Sequence, residues 1–170
     1  MNRCKWAKDD PLMIDYHDHE WGRIIRENEL LFEALSLEVF QAGLSWRTVL
    51  HKRERFRIQF HSFNIEKVAS MTPVDVDRLL NDATIIRHRR KIEATIVNAE
   101  ILCNLLEEEN SFYEWIQKLP KEKEAACKAL SKLFKHVGPT TAESFFMAIG
   151  YFKPVHDTDC FLHQKGSMVY

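Results

Sequence analysis

The chain has 170 residues, a hydrophobic content of 45% and a formal net charge of −1. The length and the hydrophobic content are sufficient for a buried core in one domain or two interleaved lobes. The net charge excludes a uniformly basic nucleic-acid-binding protein. No hydrophobic run approaches the length of a membrane span and the N-terminus lacks a signal peptide, so we expect a cytoplasmic protein without membrane attachment. Disulfides are rare in that compartment, which leaves the four cysteines as core thiols, metal ligands or nucleophiles.

Helices are predicted along most of the chain, because apolar residues recur at helical spacing and no segment shows the alternation of a strand. Asn28 is predicted to cap a helix over residues 29–42, which Gly43 ends. A second helix is predicted over residues 46–60, with Trp46 buried and its arginines facing outward. Further helices are predicted from Thr72-Pro73, along the stripe Ile92, Ile96, Ala99, Cys103 and Leu106, from Ser111 to about residue 119, and over residues 122–135 and 140–149. The scarcity of glycine and proline, five of each, also favours an all-α bundle.

Positive charge is concentrated in two stretches of the sequence. Five of the residues between 47 and 57 are basic and only Glu54 opposes them, and residues 87–91 read Arg-His-Arg-Arg-Lys. Such runs are most often solvated helix faces, and they also suit contact with phosphates. Charge therefore leaves nucleic-acid binding open.

Four potential metal ligands lie towards the ends of the chain: Cys4, His17, His156 and Cys160. The last two are four residues apart and share one face if their segment is helical. Two thiolates and two imidazoles form the closed tetrahedral set typical of structural zinc, and such a site ties the chain ends together. The chain has eight histidines and four cysteines, so a pair at this spacing also arises by chance. The remaining two cysteines are predicted to pack in the core.

Residues 134–142 resemble the turn of helix-hairpin-helix DNA-binding proteins. Gly138 permits close approach of the backbone to a phosphate, and the helix that follows offers free N–H groups and the positive end of its dipole. The match is partial, because Lys135-His136 stand where Pro-Gly is usual. An ordinary joint between two helices has the same features.

Aromatic residues are concentrated in the first part of the chain, at Trp6, Tyr16, Trp21 and Trp46. A base lifted out of a duplex needs flat aromatic walls and a few hydrogen-bonding groups, but the same rings also suit a small core. Glu38 lies on an apolar helix, so its carboxylate is either on the exposed side or buried for a reason. A buried carboxylate there favours a cationic base.

Several motifs in the same order resemble the 3-methyladenine DNA glycosylase I family. The similarity is dense over residues 3–106 and patchier over residues 130–160. Several motifs in the right order are far more specific than any one of them. The matching segments are Cys4-Lys5-Trp6, Asp10-Pro11-Leu12, Tyr-His-Asp-His-Glu-Trp-Gly at 16–22, Leu37-Glu38, Gln-Ala-Gly-Leu-Ser-Trp at 41–46, residues 85–92, Val137-Gly138-Pro139-Thr140, and His156 with Cys160.

The resemblance implies an all-α, helix-hairpin-helix DNA glycosylase fold in a single compact domain over residues 1–170. Residues 130–150 would form the helix-hairpin-helix element, and residues 1–25 together with 150–165 would form a zinc-binding part. The resemblance assigns one structural zinc ion to Cys4, His17, His156 and Cys160.

The implied function is hydrolysis of the N-glycosidic bond of 3-methyladenine in double-stranded, alkylated DNA. The enzyme would be a monomeric, monofunctional glycosylase that flips the base into an aromatic pocket. Glu38 would recognise the base, and Leu44 would fill the gap in the duplex with Gln41 nearby. The resemblance further assigns base contacts to Trp6, Tyr16, Trp21 and Trp46, and DNA contacts to Val137, Gly138 and Thr140.

The sequence is also compatible with other functions. Met13 stands where the family commonly has tyrosine, and the stretch over residues 119–130 is shorter than in the family. A non-catalytic module that binds damaged DNA and a zinc-stabilised interaction domain are therefore alternatives. A further alternative is a glycosylase in which an aspartate acts as a general base. The candidates are Asp157 and Asp159, which lie about 20 residues after Gly138. Their position between two proposed zinc ligands favours a role in orienting the metal segment.

Overall fold

The computed structural model describes residues 1–163. By their internal contacts the residues divide into two compact units, which we call the terminal unit (residues 1–24 with the segment from Phe146 onward) and the central unit (residues 25–145). Residues 164–165 of the predicted zinc-binding part lie outside the described residues, as does the rest of the predicted domain to residue 170. The predicted single domain and the boundaries of its helix-hairpin-helix element stay predictions.

Every regular element in residues 1–163 is helical, which confirms the predicted all-α class. No helix in that range is long and apolar enough to cross a bilayer. Short 3₁₀ turns occupy Lys5–Ala7 and His61–Phe63, and a π-helical turn occupies Tyr16–Glu20. The α-helices are α1 (Pro11–Asp15), α2 (Asn28–Gln41), α3 (Trp46–His51), α4 (Arg53–Gln59), α5 (Ile65–Ala69), α6 (Pro73–Leu80), α7 (Arg89–Glu108), α8 (Phe112–Gln117), α9 (Lys123–Leu133) and α10 (Pro139–Ala148).

The core of the central unit is built around α2 and two groups of aromatic rings. The ring of Phe40 on α2 lies 4.6 Å from that of Phe56 on α4, measured between centroids. Phe112 on α8 packs 5.7 Å from Phe134 and 6.2 Å from Phe145 on α10. Burying one such side chain contributes about 2 kcal/mol. Five apolar side chains of α2 are fully buried: Leu31, Phe32, Leu35, Val39 and Phe40.

Two predicted helix starts are confirmed by their caps, and one is wrong. At Thr72 the backbone N–H donates to Asp75 Oδ2 at 2.8 Å, as the start of α6 requires. Ser111 Oγ accepts from the N–H of Glu114 at 3.0 Å and starts α8. Asn28 does not cap α2: its Oδ1 accepts from the N–H of Phe112 at 2.9 Å, and so satisfies the start of α8 instead.

The single helix predicted over residues 46–60 is also wrong, because the chain breaks at Lys52 into α3 and α4. Lys52 has φ −97° and ψ 0°, and its N–H donates to the carbonyl of Val49 at 3.0 Å, which closes a tighter turn than that of an α-helix. No glycine or proline marks this break, so periodicity alone runs across it. Trp46, predicted to be buried, is only half-buried at the first position of α3.

In the terminal unit, a crossing of two backbone segments places two glycines in the left-handed region. Gly22 has φ +82° and Gly150 has φ +76°. The N–H of Gly22 donates to the carbonyl of Ala148 at 3.1 Å. A Cβ on Gly22 would lie 2.1 Å from Pro154 Cγ, so this crossing admits no side chain there. The segment that leads to His156 therefore packs directly against the segment that follows Trp21.

Candidate functional site

The four predicted metal ligands come together in the terminal unit. Their ligand atoms all lie within 4.8 Å of one another, and only His156 is incompletely buried. Cys4 Sγ is 3.4 Å from His156 Nδ1, and Cys160 Sγ is 3.5 Å from His17 Nε2 and 3.6 Å from His156 Nδ1. A tetrahedral ion with the usual zinc–sulfur and zinc–nitrogen distances places such atoms about 3.5 Å apart. The donors therefore fit a tetrahedral metal ion.

His156 and Cys160 do not lie on a helix. Residues 153–157 form no helix, and Cys160 is brought back by a turn in which its N–H donates to the carbonyl of Asp157 at 2.9 Å. His17 lies on the π-helical turn, which is closed by the N–H of Trp21 donating to Tyr16 at 2.8 Å. A wider turn of this kind is common at functional sites. His156 and Cys160 therefore meet through a turn instead of on one face of a helix, and the four predicted ligands do come together.

A second layer of hydrogen bonds orients the cluster. His17 Nδ1 donates to Asp18 Oδ1 at 2.8 Å, which leaves Nε2 free to face Cys160. Arg3 binds the same carboxylate through Nε and Nη2, at 2.9 Å and 2.8 Å to Oδ2. The hydrogen bond from Arg3 holds the pKa of Asp18 below its usual value. The N–H of Asp157 points at Cys4 Sγ at 3.3 Å, as suits a thiolate.

Burial shifts the pKa values of two residues of the cluster. It raises the pKa of the Cys4 thiol to about 11 and lowers that of His156 to about 4. His156 is therefore neutral at physiological pH, the form that ligates metals. A bound dication favours the thiolate of Cys4, so metal binding releases protons.

Three of the predicted base-contacting rings lie around this cluster. Trp6 packs edge-on against the His17 ring at 5.1 Å and the Trp21 ring at 5.2 Å. Trp21 in turn packs 4.9 Å from His156. Tyr16 is buried, with its ring 6.3 Å from that of Trp6, and Trp6 remains 39% exposed. Trp6 and Trp21 therefore contact the histidines of the cluster, Tyr16 contacts Trp6, and Trp6 remains partly exposed to solvent.

In the central unit, Glu38 is buried without a matching charge. Its side chain on α2 is 6% exposed, and the described residues give it no hydrogen-bond or ion-pair partner. Burial raises the pKa of its carboxyl to about 8. Glu33, one and a half turns earlier, is equally buried but accepts from Arg57 Nε at 3.0 Å and Nη2 at 2.8 Å. An unmatched buried carboxyl is costly and is a common mark of a functional site.

The loop between α2 and α3 presents an apolar side chain to solvent. Gln41 closes the loop: its Nε2 donates to the carbonyl of Leu44 at 2.8 Å, and the N–H of Leu44 donates back to Gln41 at 2.7 Å. Gly43 has φ +80°, which the turn requires. The Leu44 side chain is 40% exposed at the tip. The loop thus holds a projecting leucine between two helix ends.

A turn at residues 134–138 joins α9 to α10, as the sequence predicted. Val137 is buried and anchors the turn, whereas Gly138 and Thr140 are exposed. α10 starts at Pro139, and the N–H of Ala142 donates to the Gly138 carbonyl at 2.9 Å. The first N–H groups of an α-helix lack acceptors within the helix, which is why helix starts such as that of α10 can bind anions.

Some residues in or near these features were missed by the sequence analysis. Arg3 and Asp18 support His17, and Lys91 was read only as part of an exposed basic run although it is 5% exposed. An acidic residue beside a ligand histidine was the available signal for Asp18. For Lys91 the signal was its position one residue before Ile92, on the apolar stripe of α7.

Comparison with known proteins defines the class first. The fold matches a solved structure described as 3-methyladenine DNA glycosylase I (TAG), with a TM-score of 0.85 and 41% identity over 95% of this chain and 100% of that chain. It also matches 3-methyladenine DNA glycosylase I from Staphylococcus aureus, with a TM-score of 0.84 and 33% identity over 95% and 96% of the two chains. The chain thus has the all-helical fold of these DNA glycosylases.

The family follows from sequence. A model of the methyladenine glycosylase family matches residues 6–133. DNA-3-methyladenine glycosylase 1 of Escherichia coli (strain K12) is 42% identical over 88% of this chain and 91% of its own length. The chain belongs to the methyladenine glycosylase family.

Proposed function

We propose that the protein excises 3-methyladenine from alkylated DNA as a base-excision repair glycosylase. The observation that carries this is Glu38, a buried carboxyl without a charged partner among the described residues, in a chain of this family. The Escherichia coli relative bears the name of this activity, and the Staphylococcus aureus structure is described as the basis of 3-methyladenine recognition. A cationic base supplies the charge that the site lacks.

The reaction needs little acid–base help from the protein. 3-Methyladenine on its sugar is already a cation, so the bond from N9 to C1′ breaks with its electrons neutralising the departing base. Water adds its oxygen to C1′, and its proton passes to solvent. The protein must find the lesion, flip the nucleotide and hold the base. An ionised Glu38 beside the base favours the cation over neutral adenine.

The remaining roles extend the same proposal. Trp6, Tyr16, Trp21 and Trp46 would contact the base, since electron-rich rings favour a cationic, electron-poor ring. Leu44 at the tip of its loop would enter the duplex, with Gln41 holding that loop in shape. Val137, Gly138 and Thr140 would place the hairpin against phosphates of double-stranded DNA. We propose that the protein acts as a cytoplasmic monomer.

We also propose that Cys4, His17, His156 and Cys160 hold one structural zinc ion. The distances between their ligand atoms and the closed set of two thiols and two imidazoles support zinc. The ion would supply a cross-link between the ends of the described chain, and no step of base excision passes through it.

Release of free 3-methyladenine from methylated duplex DNA by the purified protein tests the proposed function. We expect enzyme-dependent release of the free base, measured chromatographically, above the spontaneous rate. Tight binding to the same DNA without release would instead identify a non-catalytic binding module.

The rate of release is expected to depend on pH through Glu38. Because burial raises the pKa of this carboxyl to about 8, kcat/KM should rise with pH and level off above about pH 8. The kcat profile should lie at lower pH, because the bound cation favours the ionised carboxylate. Both are measured between about pH 6 and about pH 9 at constant ionic strength. A kcat/KM that does not change across this interval would rule out Glu38 as the titrating group.

Asp157→Asn is expected to change the rate of release by less than about threefold. Asp157 Oδ2 accepts from the N–H of Lys5 at 2.8 Å, which places this carboxylate on the backbone of the metal cluster. Release rate and bound metal are measured together, and Asp159→Asn, which tests the other aspartate of the alternative, is measured in the same way. Loss of release with the metal retained would support the alternative in which an aspartate after the hairpin acts as general base.

A further inference from the structure

Both loops of the central unit that the proposed function assigns to DNA are hydrogen-bonded to α7. The first contact comes from Lys91, whose side chain reaches the end of α2. Its Nζ donates to the carbonyl of Phe40 at 2.9 Å and to that of Ala42 at 2.6 Å. These carbonyls lie at the C-terminal end of α2, where a cation is favoured by the helix dipole and backbone acceptors lack helical partners. Lys91 thus fixes the point at which the loop of Leu44 begins.

The second contact comes from Asn98, which is 1% exposed on the same helix. Its Nδ2 donates to the carbonyl of Lys135 at 3.1 Å, and its Oδ1 accepts from the N–H of Lys135 at 2.7 Å. One side chain therefore satisfies both backbone groups of the residue that enters the hairpin. The next residue, His136, has φ +59°, a conformation that a residue other than glycine adopts only when its surroundings hold it.

Lys91 and Asn98 lie on one face of α7. Lys91 and Asn98 are seven residues apart, which is two turns of α7 and places them on one face, about 10 Å apart along the axis. Between them, Thr95 Oγ1 donates to the carbonyl of Lys91 at 2.8 Å, a hydrogen bond within the helix. Three buried polar side chains thus line one face of α7, and the outer two reach across to the DNA-facing loops.

We propose that Lys91 and Asn98 are positioning residues that fix the separation between the leucine-tipped loop and the hairpin, with α7 as the rigid spacer. This inference rests on the proposed function, because that function gives the two loops their DNA roles. A duplex whose phosphates are bound at the hairpin then meets Leu44 at a fixed distance along the DNA. The nucleotide that is flipped therefore lies at a fixed distance from the bound phosphates. Lys91 and Asn98 contact neither base nor sugar in this role.

The test for Lys91 is a double-mutant cycle with Leu44. Lys91→Met removes the ammonium and is expected to lower kcat/KM for release from duplex DNA by about 10-fold to 100-fold, with the affinity for free 3-methyladenine unchanged. Thr95→Val, which removes a buried hydrogen bond of the same helix without touching a loop, is the matched control and should stay near the wild type. If Lys91 acts through the loop, Leu44→Ala should cost much less in the Lys91→Met background than in the wild type.

The test for Asn98 uses the dependence of DNA affinity on salt. Asn98→Leu keeps the size of the side chain but frees the hairpin, so binding to an uncleaved duplex should show a shallower slope of log affinity against log salt. A loss of stability alone would not change that slope.

If Lys91→Met folds poorly, Lys91→Gln takes its place in the double-mutant cycle. The amount of protein that binds free 3-methyladenine reports the folded fraction of each variant.

The outcomes separate the two proposals. No release by the wild type would overturn the proposed function and this inference together. Release by the wild type, with Lys91→Met and Asn98→Leu both equal to Thr95→Val, would overturn the inference alone. The inference would also be overturned if the effects of Lys91→Met and Leu44→Ala were additive and the affinity for the free base fell in parallel. A purely structural role of Lys91 predicts that result.

Discussion

Glu38→Gln is expected to lower kcat/KM for release of 3-methyladenine by at least about 100-fold. The amide has nearly the same shape, but it cannot carry the negative charge that favours the cationic base. The variant should also be more stable than the wild type at neutral pH, because it no longer buries an unmatched carboxyl. Rate of base release and melting temperature, measured on the same preparations, check both expectations.

The sign of the stability change follows from the raised pKa. The folded protein holds the Glu38 proton up to its raised pKa of about 8, whereas an unfolded chain releases it above the ordinary glutamate pKa of 4.5. Between these values the unfolded state gains by ionising, so Glu38 lowers the free energy of unfolding increasingly as pH rises. At pH 7 the cost is on the order of 3 kcal/mol. The stability gain of Glu38→Gln should therefore vanish below about pH 4.5.

Glu33→Gln is the matched control on the same helix. It breaks the ion pair with Arg57, so we expect lower stability and a nearly unchanged rate of release. If Glu33→Gln and Glu38→Gln lost activity equally, buried charge on α2 in general would be responsible. If Glu38→Gln kept full activity, its carboxylate would have no part in recognising the base.

Removal of the metal is expected to produce the second large effect. Purified protein should contain one zinc ion per chain by elemental analysis, and Cys4→Ser should contain none. Loss of the ion should lower the free energy of unfolding of the terminal unit by at least about 5 kcal/mol, because the ion links segments that otherwise have only part of their packing. Thermal unfolding with and without a chelator measures this change.

Cys127→Ser provides the control for the metal experiment. Cys127 is buried on α9, outside the Cys/His cluster, so this variant should keep one ion per chain. Full metal content in Cys4→Ser would contradict the assignment of the ligands. Unchanged stability after complete removal of the ion would show that the cluster does not need a metal to hold its structure.

The sequence was sufficient to predict the helical class and to predict that Cys4, His17, His156 and Cys160 come together. The four ligands had a chemical signature that does not depend on knowing the backbone between them, and they do converge. The local conformation could not be obtained in this way. His156 and Cys160 meet through a turn, and a spacing of four residues is compatible with either conformation.

Burial of Glu38 is another feature that periodicity could not decide. α2 is buried on nearly all sides from Leu31 to Phe40, so its pattern has no polar face with which to orient a carboxylate. Asn28 likewise has the chemistry of a helix cap, and it does satisfy a helix start, but that of α8, 84 residues along the chain. Local sequence specifies what a side chain can bind and leaves the choice of partner to tertiary packing.

The metal cluster also orders events during synthesis. Cys160 meets His17 across 143 residues of chain, so the ligand set is complete only after the whole central unit has been translated. The central unit therefore has the opportunity to fold first, as domains do on the ribosome. A polypeptide that terminates before His156 carries two of the four proposed ligands, and one that terminates before Cys160 carries at most three, so neither can close the site. If the proposed zinc ion is bound, its retention would mark a chain that has been synthesised through Cys160.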